Sequence, residues 1–528
     1  MQNEGGASTG SLHDSPATAD ELVALGRRRR GDGDLRGALD AFQAALPAKG
    51  GDPEFLFEVA GVLRQLDLQA DALAIYDALA AALPDALPVL HNRANCLADV
   101  GRASDAVVAF RDILARHPEV ASSWAALGNA AFLAGSPYLG KRAYARAIAL
   151  EPGEPASYIN FAEALAIDAV GTDEHERAVA LLRRAIALVP DDTSLRYNLA
   201  RSLLSLGRFA EGWAQYDGRL HPAGRNHVVR AVACPRWQGD PLAGRHLFVC
   251  GEQGIGDQLW LLPFVREAAA QAGHVTLEVA PKLVSLVSRS LPQVTVRPLQ
   301  IERREGIWYA VGESRTGPDG ADRYIESGSL PRFLWDTVAG RAVAPVLAPD
   351  PVLVDRWRTR LDAMGPGLRV GICWRSPLFG RERSPEYLPL DTWRPIFDAL
   401  SRATDGPVHA FCFQHGEVDG ELAQAPRSAG IAVTRFPDLD LWDDIDGTAA
   451  ALANMDLVVT ALTSIARIAA GLGIPTLVLT KTPYFVALSD GRDPAGPALE
   501  PVAPAPGRFW PEGVVGEVAA RLQARLKR

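Results

Sequence analysis

The sequence predicts an all-α repeat array followed by an α/β half built on two parallel sheets. Two observations predict it. Small and aromatic residues recur every 34 positions between about 20 and 220, and strand-length apolar runs alternate with helical stretches from about 235 onward. The length of 528 residues agrees, because a chain of that size exceeds one hydrophobic core and divides into two to four domains.

Hydrophobic content of 48% and charged content of 22% are ordinary for a globular protein. A net charge of −9 supplies no basic face for nucleic acid. No stretch approaches the roughly 18 uninterrupted apolar residues of a membrane span, so no span is expected and the expected location is cytoplasmic. Residues 1–18, MQNEGGASTGSLHDSPAT, are small and polar and lack the charged-then-apolar pattern of a signal peptide. They read as a disordered tail. Cys96, Cys234, Cys250, Cys373 and Cys412 are scattered without a C-x-x-C pair, which indicates neither a disulfide framework nor a zinc site.

The repeats come first along the chain. Small residues stand at 26, 60, 94, 128, 162 and 200, four intervals of 34 and a last one of 38. A second ladder, Phe42, Tyr76, Phe110, Tyr144, Leu182 and Tyr216, keeps the same step, and Pro84, Pro118, Pro152 and Pro190 close successive units. Each unit reads as a helix-turn-helix in which the small residue admits the second helix, the aromatic fills the gap and the proline ends it. The long interval holds a four-residue insertion near GTDEHE. Six units in phase over residues 19–220 closely resemble the tetratricopeptide repeat, whose concave groove binds a peptide or protein partner. The run RRRR at 27–30 reads as a solvated face, since four consecutive helical residues point in different directions.

In the second half HLFVC (246–250), VTLEV (275–279), RVGICW (369–374), VHAFCF (408–413), DLVVT (456–460) and PTLVLT (475–480) read as strands. Helical stretches at 259–272, 391–403 and 463–472 separate most of them. The less regular stretch 298–368 divides two βαβ clusters, and ligands of such sheets bind at the carboxyl ends of the strands.

At the first such end the chain reads FVCGEQGIGDQLWLLP. Gly251, Glu252, Gln253, Gly254 and Gly256 join strand to helix, where unpaired N–H groups and the positive end of the helix dipole favour an anion. Asp257 sits at the helix start, and Pro263 should end or bend the first turn. The spacing does not match the dinucleotide motif G-x-G-x-x-G, and glycines after a strand are also simply a turn.

GEQGIGDQLWLLP resembles the loop of bacterial tetratricopeptide proteins with a carboxyl-terminal glycosyltransferase domain. Its GDQLWLLP matches the G-D-x-x-x-x-x-P of the related heptosyltransferases. GRFAEGWAQYDGRL, CPRWQGDPLAGRHLFVCGEQGIGD, VGICWRS, FCFQHG and MDLVVTALTSIARIAAGLGIPT resemble the same group, so the likeness spans nearly the whole chain. It implies a GT-B fold of two Rossmann-like lobes, with the acceptor on 235–350 and the sugar nucleotide on 351–528. It also implies Asp257 as general base, although an aspartate there is equally a helix cap.

The donor side departs from the heptosyltransferase pattern D-T-x-x-x-H. Leu462 stands for the aspartate and Arg467 for the histidine, while Thr463 is kept. Thr463 and Ser464 are N-cap residue types, so hydroxyls and free N–H groups there would hold an anion without a metal, with Arg467 one turn on. Arg375, Ser376, Arg381 and Arg383 follow another strand, and Gln414 and His415 end the next. Arg375 heads the phosphate candidates, and Gln414 and His415 are candidates for base or ribose contact. DLDLWDDID at 438–446 reads as a solvated turn.

The resemblance, whose members include flagellin O-glycosyltransferases, implies transfer of a sugar to Ser or Thr of a protein acceptor, flagellin foremost. The expected donor is a nucleotide sugar, and a CMP-linked nonulosonic acid suits a metal-free site because its leaving group carries less charge. No metal or other cofactor is expected. Two alternatives stand beside it: a nucleotide-diphosphate hexose or N-acetylhexosamine donor, and a non-catalytic scaffold with a degenerate second half.

Overall fold

The computed structural model describes residues 18–167, 172–221, 227–252, 254–304, 307–341, 344–376, 387–480, 493, 496, 498–503 and 512–526. Gln253, Arg381, Arg383 and the expected tail through residue 17 lie outside them. The chain divides into two compact units, one ending at Ala164 and the other beginning at Leu165.

Every secondary-structure element among the first unit's described residues is a helix, with short turns between. Helices Ala19–Gly31, Pro53–Gln65, Leu87–Asp99 and Ala121–Leu133 carry the small residues of the 34-step ladder. Helices Leu35–Lys49, Gln69–Ala82, Ala103–Arg116 and Pro137–Leu150 carry the aromatics. Phe42, Tyr76, Phe110 and Tyr144 are fully buried. At Gly128 the reason for a small residue is visible: a Cβ there would lie 2.7 Å from the Tyr144 ring. The helix cannot approach its partner with anything larger at that position.

The division falls within helix Pro155–Ile167, which carries the small residue at 162, and the second unit goes on with the repeat helices Thr172–Leu188, Leu195–Ser205 and Phe209–Tyr216. Helix Thr172–Leu188 is 17 residues long against 14 for its counterparts from Gln69, Ala103 and Pro137, and it opens on TDEHE of the stretch near which the four-residue insertion falls. Phe209 and Trp213 then pack on Trp335, and Trp213 on Trp260, so the compact unit starts before the repeat pattern ends.

Thirteen strands follow in the described residues: β1 (Val228–Val229), β2 (His246–Cys250), β3 (His274–Val279), β4 (Thr295–Pro298), β5 (Ile301–Arg304), β6 (Ile307–Ala310), β7 (Arg323–Glu326), β8 (Leu368–Cys373), β9 (Val408–Cys412), β10 (Val433–Thr434), β11 (Leu457–Ala461), β12 (Thr476–Leu479) and β13 (Leu499–Val502). The order β4-β3-β2-β7 makes one parallel sheet and β10-β9-β8-β11-β12-β13 a second, doubly wound parallel sheet. A small mixed sheet, β1-β6-β5, occupies part of the stretch that the sequence leaves irregular.

All six strands expected from apolar runs are present. The short edge strands β4, β7, β10 and β13 were not expected, because two to four residues hold too little alternation to register as a pattern. Both faces of the six-stranded sheet are buried. Phe411, Phe413 and Val458 join one apolar cluster, and Val370, Ile372 and Val459 another. That two-sided burial explains the near-continuous apolar runs of β8, β9 and β11.

Candidate functional site

β2 ends at Cys250 and the glycine loop leads into helix Ile255–Trp260. Gly251 is bare because a Cβ would lie 2.8 Å from the Glu278 carbonyl oxygen of neighbouring β3. Gly254 holds φ at +91°, a conformation open to glycine, and caps the helix. Asp257 is exposed at the third helical position. A Cβ on Gly254 would stand 2.8 Å from Asp257 Oδ2, so the carboxylate folds back toward the helix start. That is the place of a first-turn acid in a capping arrangement, and it is also open to a hydroxyl arriving from outside. The helix breaks at Leu261 and resumes as Leu262–Gln271 with Pro263 in its first turn, the bend that proline imposes.

Glu252 points back into the protein. Its carboxylate accepts two bonds from Arg219 (Nε 3.0 Å, Nη2 2.8 Å), one from the Gly328 N–H and a longer one from Ser327 Oγ at 3.4 Å. Burial alone would raise the Glu252 pKa; the charge and hydrogen bonds of Arg219 outweigh it and hold the carboxyl below its ordinary value. Glu252 is therefore an anchor of the loop and stays ionised at neutral pH.

Gly256 faces the helix that follows β11. A Cβ there would lie 3.6 Å from Arg467 Cγ and 3.7 Å from Ser464 Cα, so the helix after β2 packs directly on helix Ser464–Gly471 after β11. The loops singled out separately in the sequence thus meet. Thr463 precedes that helix in extended conformation, but its hydroxyl makes no cap bond and lies 3.7 Å from Cys373 Sγ. Arg467 Nη1 donates to fully buried Asp493 at 2.7 Å, and its guanidinium lies 5.6 Å from the Trp260 ring centroid. Trp260 Nε1 donates to the same carboxylate at 2.9 Å. One buried aspartate therefore holds a side chain from the helix after β2 and one from the helix after β11.

The end of β8 is equally organised. The Gln414 amide oxygen accepts from the Trp374 and Arg375 N–H groups at 3.0 and 2.8 Å, tying the ends of β8 and β9. Arg375 Nη1 and Trp374 Nε1 both donate to Glu421, at 2.6 and 2.7 Å. Burial would raise Glu421, and those two donors lower it below its usual range. Ser376 is buried beside them. Cys373 Sγ sits 3.6 Å from Gln414 Oε1, and burial pushes its thiol up to about 11, so it is no thiolate nucleophile. His415 is edge-on to Trp442 with ring centroids 5.8 Å apart, and burial first, then the Lys282 charge, lowers its pKa.

The acidic stretch 438–446 is a structured turn. Asp440 Oδ1 accepts from the Trp442 and Asp443 N–H groups, and Asp444 caps helix Ile445–Leu452 through the Gly447 N–H. Among the described residues no group of three His, Cys, Asp or Glu is placed to hold a metal.

Sequence reasoning missed the partners. Arg219, Asp493, Glu421 and Gln258 lie away in sequence from what they hold, and Gln258 bridges the Glu252 carbonyl and the Ala280 N–H. Glu278 offered a signal: a lone charge inside the apolar run VTLEV. It is fully buried between Arg230 (2.7 Å) and Arg297 (2.8 Å), the pairing a buried charge requires.

The tetratricopeptide-repeat family matches residues 23–86 and 163–224. Protein FlbA of Caulobacter vibrioides is 28% identical over 512 residues, covering 95% of this chain and 83% of that protein. Among solved structures, a thermophilic tetratricopeptide-repeat protein of Thermus thermophilus is 23% identical, covering 35% of this chain and all of that one at a TM-score of 0.32. MamA from Desulfovibrio magneticus RS-1 is 19% identical over 33% of this chain and 96% of that one, with a TM-score of 0.29.

Proposed function

We propose that the chain is a GT-B glycosyltransferase that moves a sugar from a nucleotide donor to a Ser or Thr hydroxyl of a protein acceptor. One observation carries the reading: the glycine loop after β2 and the Thr463–Ser464 helix start after β11 are in contact through Gly256. A base on the first and an anion site on the second would then flank one reacting centre. In this reading the repeats (19–220) recruit the acceptor, flagellin foremost, residues 235–350 carry its hydroxyl and 351–528 the nucleotide, in the cytoplasm.

Asp257 takes the hydroxyl proton as the oxygen attacks the anomeric carbon, and the nucleotide leaves with the electrons of the broken C–O bond. The first-turn N–H groups of helix Ser464–Gly471 stabilise the departing phosphate, since Thr463 does not cap them. A CMP-linked nonulosonic acid remains the favoured donor, because a monophosphate needs less neutralisation than a diphosphate.

A scaffold without turnover has one observation in its favour. Arg375 and Arg467, the cations assigned to phosphate, already pair with Glu421 and Asp493. Thermal-shift measurements with CMP, UDP, GDP and ADP, with and without a chelator, separate the readings, because a ligand of the native state alone raises the melting temperature. A shift with one nucleotide that survives chelation supports the enzyme; no shift with any supports the scaffold.

A further inference from the structure

We propose that Arg219, in the turn that ends the repeat array, is the positioning residue for the glycine loop and through it for Asp257. The assignment of chemistry to Asp257 rests on the function proposed above; the mechanical coupling does not. Arg219 lies in the 3-10 turn Asp217–Leu220, directly after the last repeat helix. Its guanidinium is buried and meets Glu252 in a two-point fork. It also donates to Ser329 Oγ (3.0 Å), Asp217 Oδ1 (3.3 Å) and the Tyr216 carbonyl (3.3 Å), and lies over the Tyr216 ring at 4.8 Å. Asp217 is held in turn by Arg236, Arg332 and Ser329.

The coupling runs onward through short links. The Glu252 side chain is fixed by Arg219 and the Gly328 N–H, and the Glu252 carbonyl accepts from Gln258 Nε2. Gln258 is the neighbour of Asp257 on the helix and also accepts from the Ala280 N–H at 2.7 Å. Between Glu252 and Asp257 the backbone includes two glycines, 254 and 256, and glycine-bearing backbone needs an external hold to keep one conformation. A buried ion pair is a poor source of net stability, because desolvation cancels most of the attraction. Geometry is what this one supplies: a fork-to-fork contact fixes both distance and angle. The last repeat and the loop consequently move as one body.

The test compares full-length Arg219→Lys, Arg219→Ala, Glu252→Gln and the Arg219→Ala/Glu252→Gln double variant. Hydrogen exchange of peptides covering 251–260 should quicken in the Ala and Gln variants and stay unchanged in peptides from β8. Sugar transfer should lose about 10²-fold in kcat, the cost of displacing a reacting group by about 1 Å, with the donor KM unchanged. The double variant should be no worse than either single one, and Lys should recover part of the loss, having the charge without the fork. Wild-type exchange over 251–260 in both single variants, or additive losses in the double, would overturn the proposal. If the Ala variant does not fold, Lys and Gln carry the same comparison. If the wild type transfers no sugar from any nucleotide, the proposed function fails, and the exchange data still decide whether Arg219 holds the loop.

Discussion

The repeat helices and the loops of the sheets solve the same problem, holding a backbone in place, over different distances along the chain. In the repeats the contacts are local: Gly128 admits Tyr144, 16 residues later, and Gly26 admits Phe42 at the same spacing. At the sheet ends the partners are remote. Arg219 and Glu252 are 33 residues apart, Arg375 and Glu421 46, and Trp260 and Asp493 233. Local apolar packing can be repeated and read as a period. Each buried ion pair between remote segments joins its own two positions and repeats nowhere as a period, and its worth lies in orientation more than in stability.

The sharpest way to break that contrast is at Asp257. Asp257→Asn keeps size and capping but cannot take a proton at neutral pH, so turnover should fall by about 10²–10⁴-fold. Intact-protein mass spectrometry of the acceptor reads this directly. Near wild-type transfer would make Asp257 a cap, since Asn caps as well. Because Gly256 sets this helix against Ser464 and Arg467, nucleotide affinity should be measured in the same variant and should be unchanged.

Next in size is Asp493→Ala. The carboxylate is fully buried and serves both Arg467 and Trp260. Removing it takes this acceptor from a buried guanidinium and an indole N–H, which costs about 3–5 kcal/mol. Calorimetry should show the loss in the unfolding of the unit that begins at Leu165, with the unit ending at Ala164 unaffected. Loss confined to the other transition would contradict the assignment.

Gly128→Val perturbs the opposite region and by less. Its side chain would meet the Tyr144 ring at 2.7 Å, and overpacking of this kind costs about 1–3 kcal/mol. Denaturant unfolding should register that loss while nucleotide thermal shifts persist. If the shifts disappeared, the two regions would not be separable in the way their contacts suggest.

How much was legible follows from the same contrast. The period-34 ladder, its prolines, and the six strands from HLFVC to PTLVLT were readable because each is a pattern within about five to forty residues. The bend at Pro263 followed from one residue's covalent chemistry. The residues gathered at the site were named from the sequence, but their attachments were not. Arg467 reads as a phosphate ligand in ALTSIARIAAGLG because nothing nearby announces Asp493. Gln414 reads as a base contact, and its amide oxygen accepts from two backbone N–H groups, those of Trp374 and Arg375 just past the end of β8. Side-chain type survives in a sequence; the partner that claims the side chain does not.

The smallest expected signal, and the one closest to the clamp, is the acid response of Glu252→Gln. Burial raises the pKa of Glu252, and Arg219 and the Gly328 N–H more than reverse it, leaving the folded value below the ordinary 4.5. A depressed folded pKa means that the ionised form stabilises the fold at pH above the unfolded value, and that this stability is lost as pH falls through the folded value. The wild type should therefore lose stability below about pH 4.5 by one term that the Gln variant lacks. Many other carboxylates titrate in that range, so the difference between the two curves is the quantity to read. Melting temperatures taken from about pH 7 down to about pH 3 should show the variant less stable at neutrality and the curves converging in acid. Parallel curves would mean that Glu252 titrates alike in the folded and unfolded chain, and that Arg219 holds it no more firmly than water does.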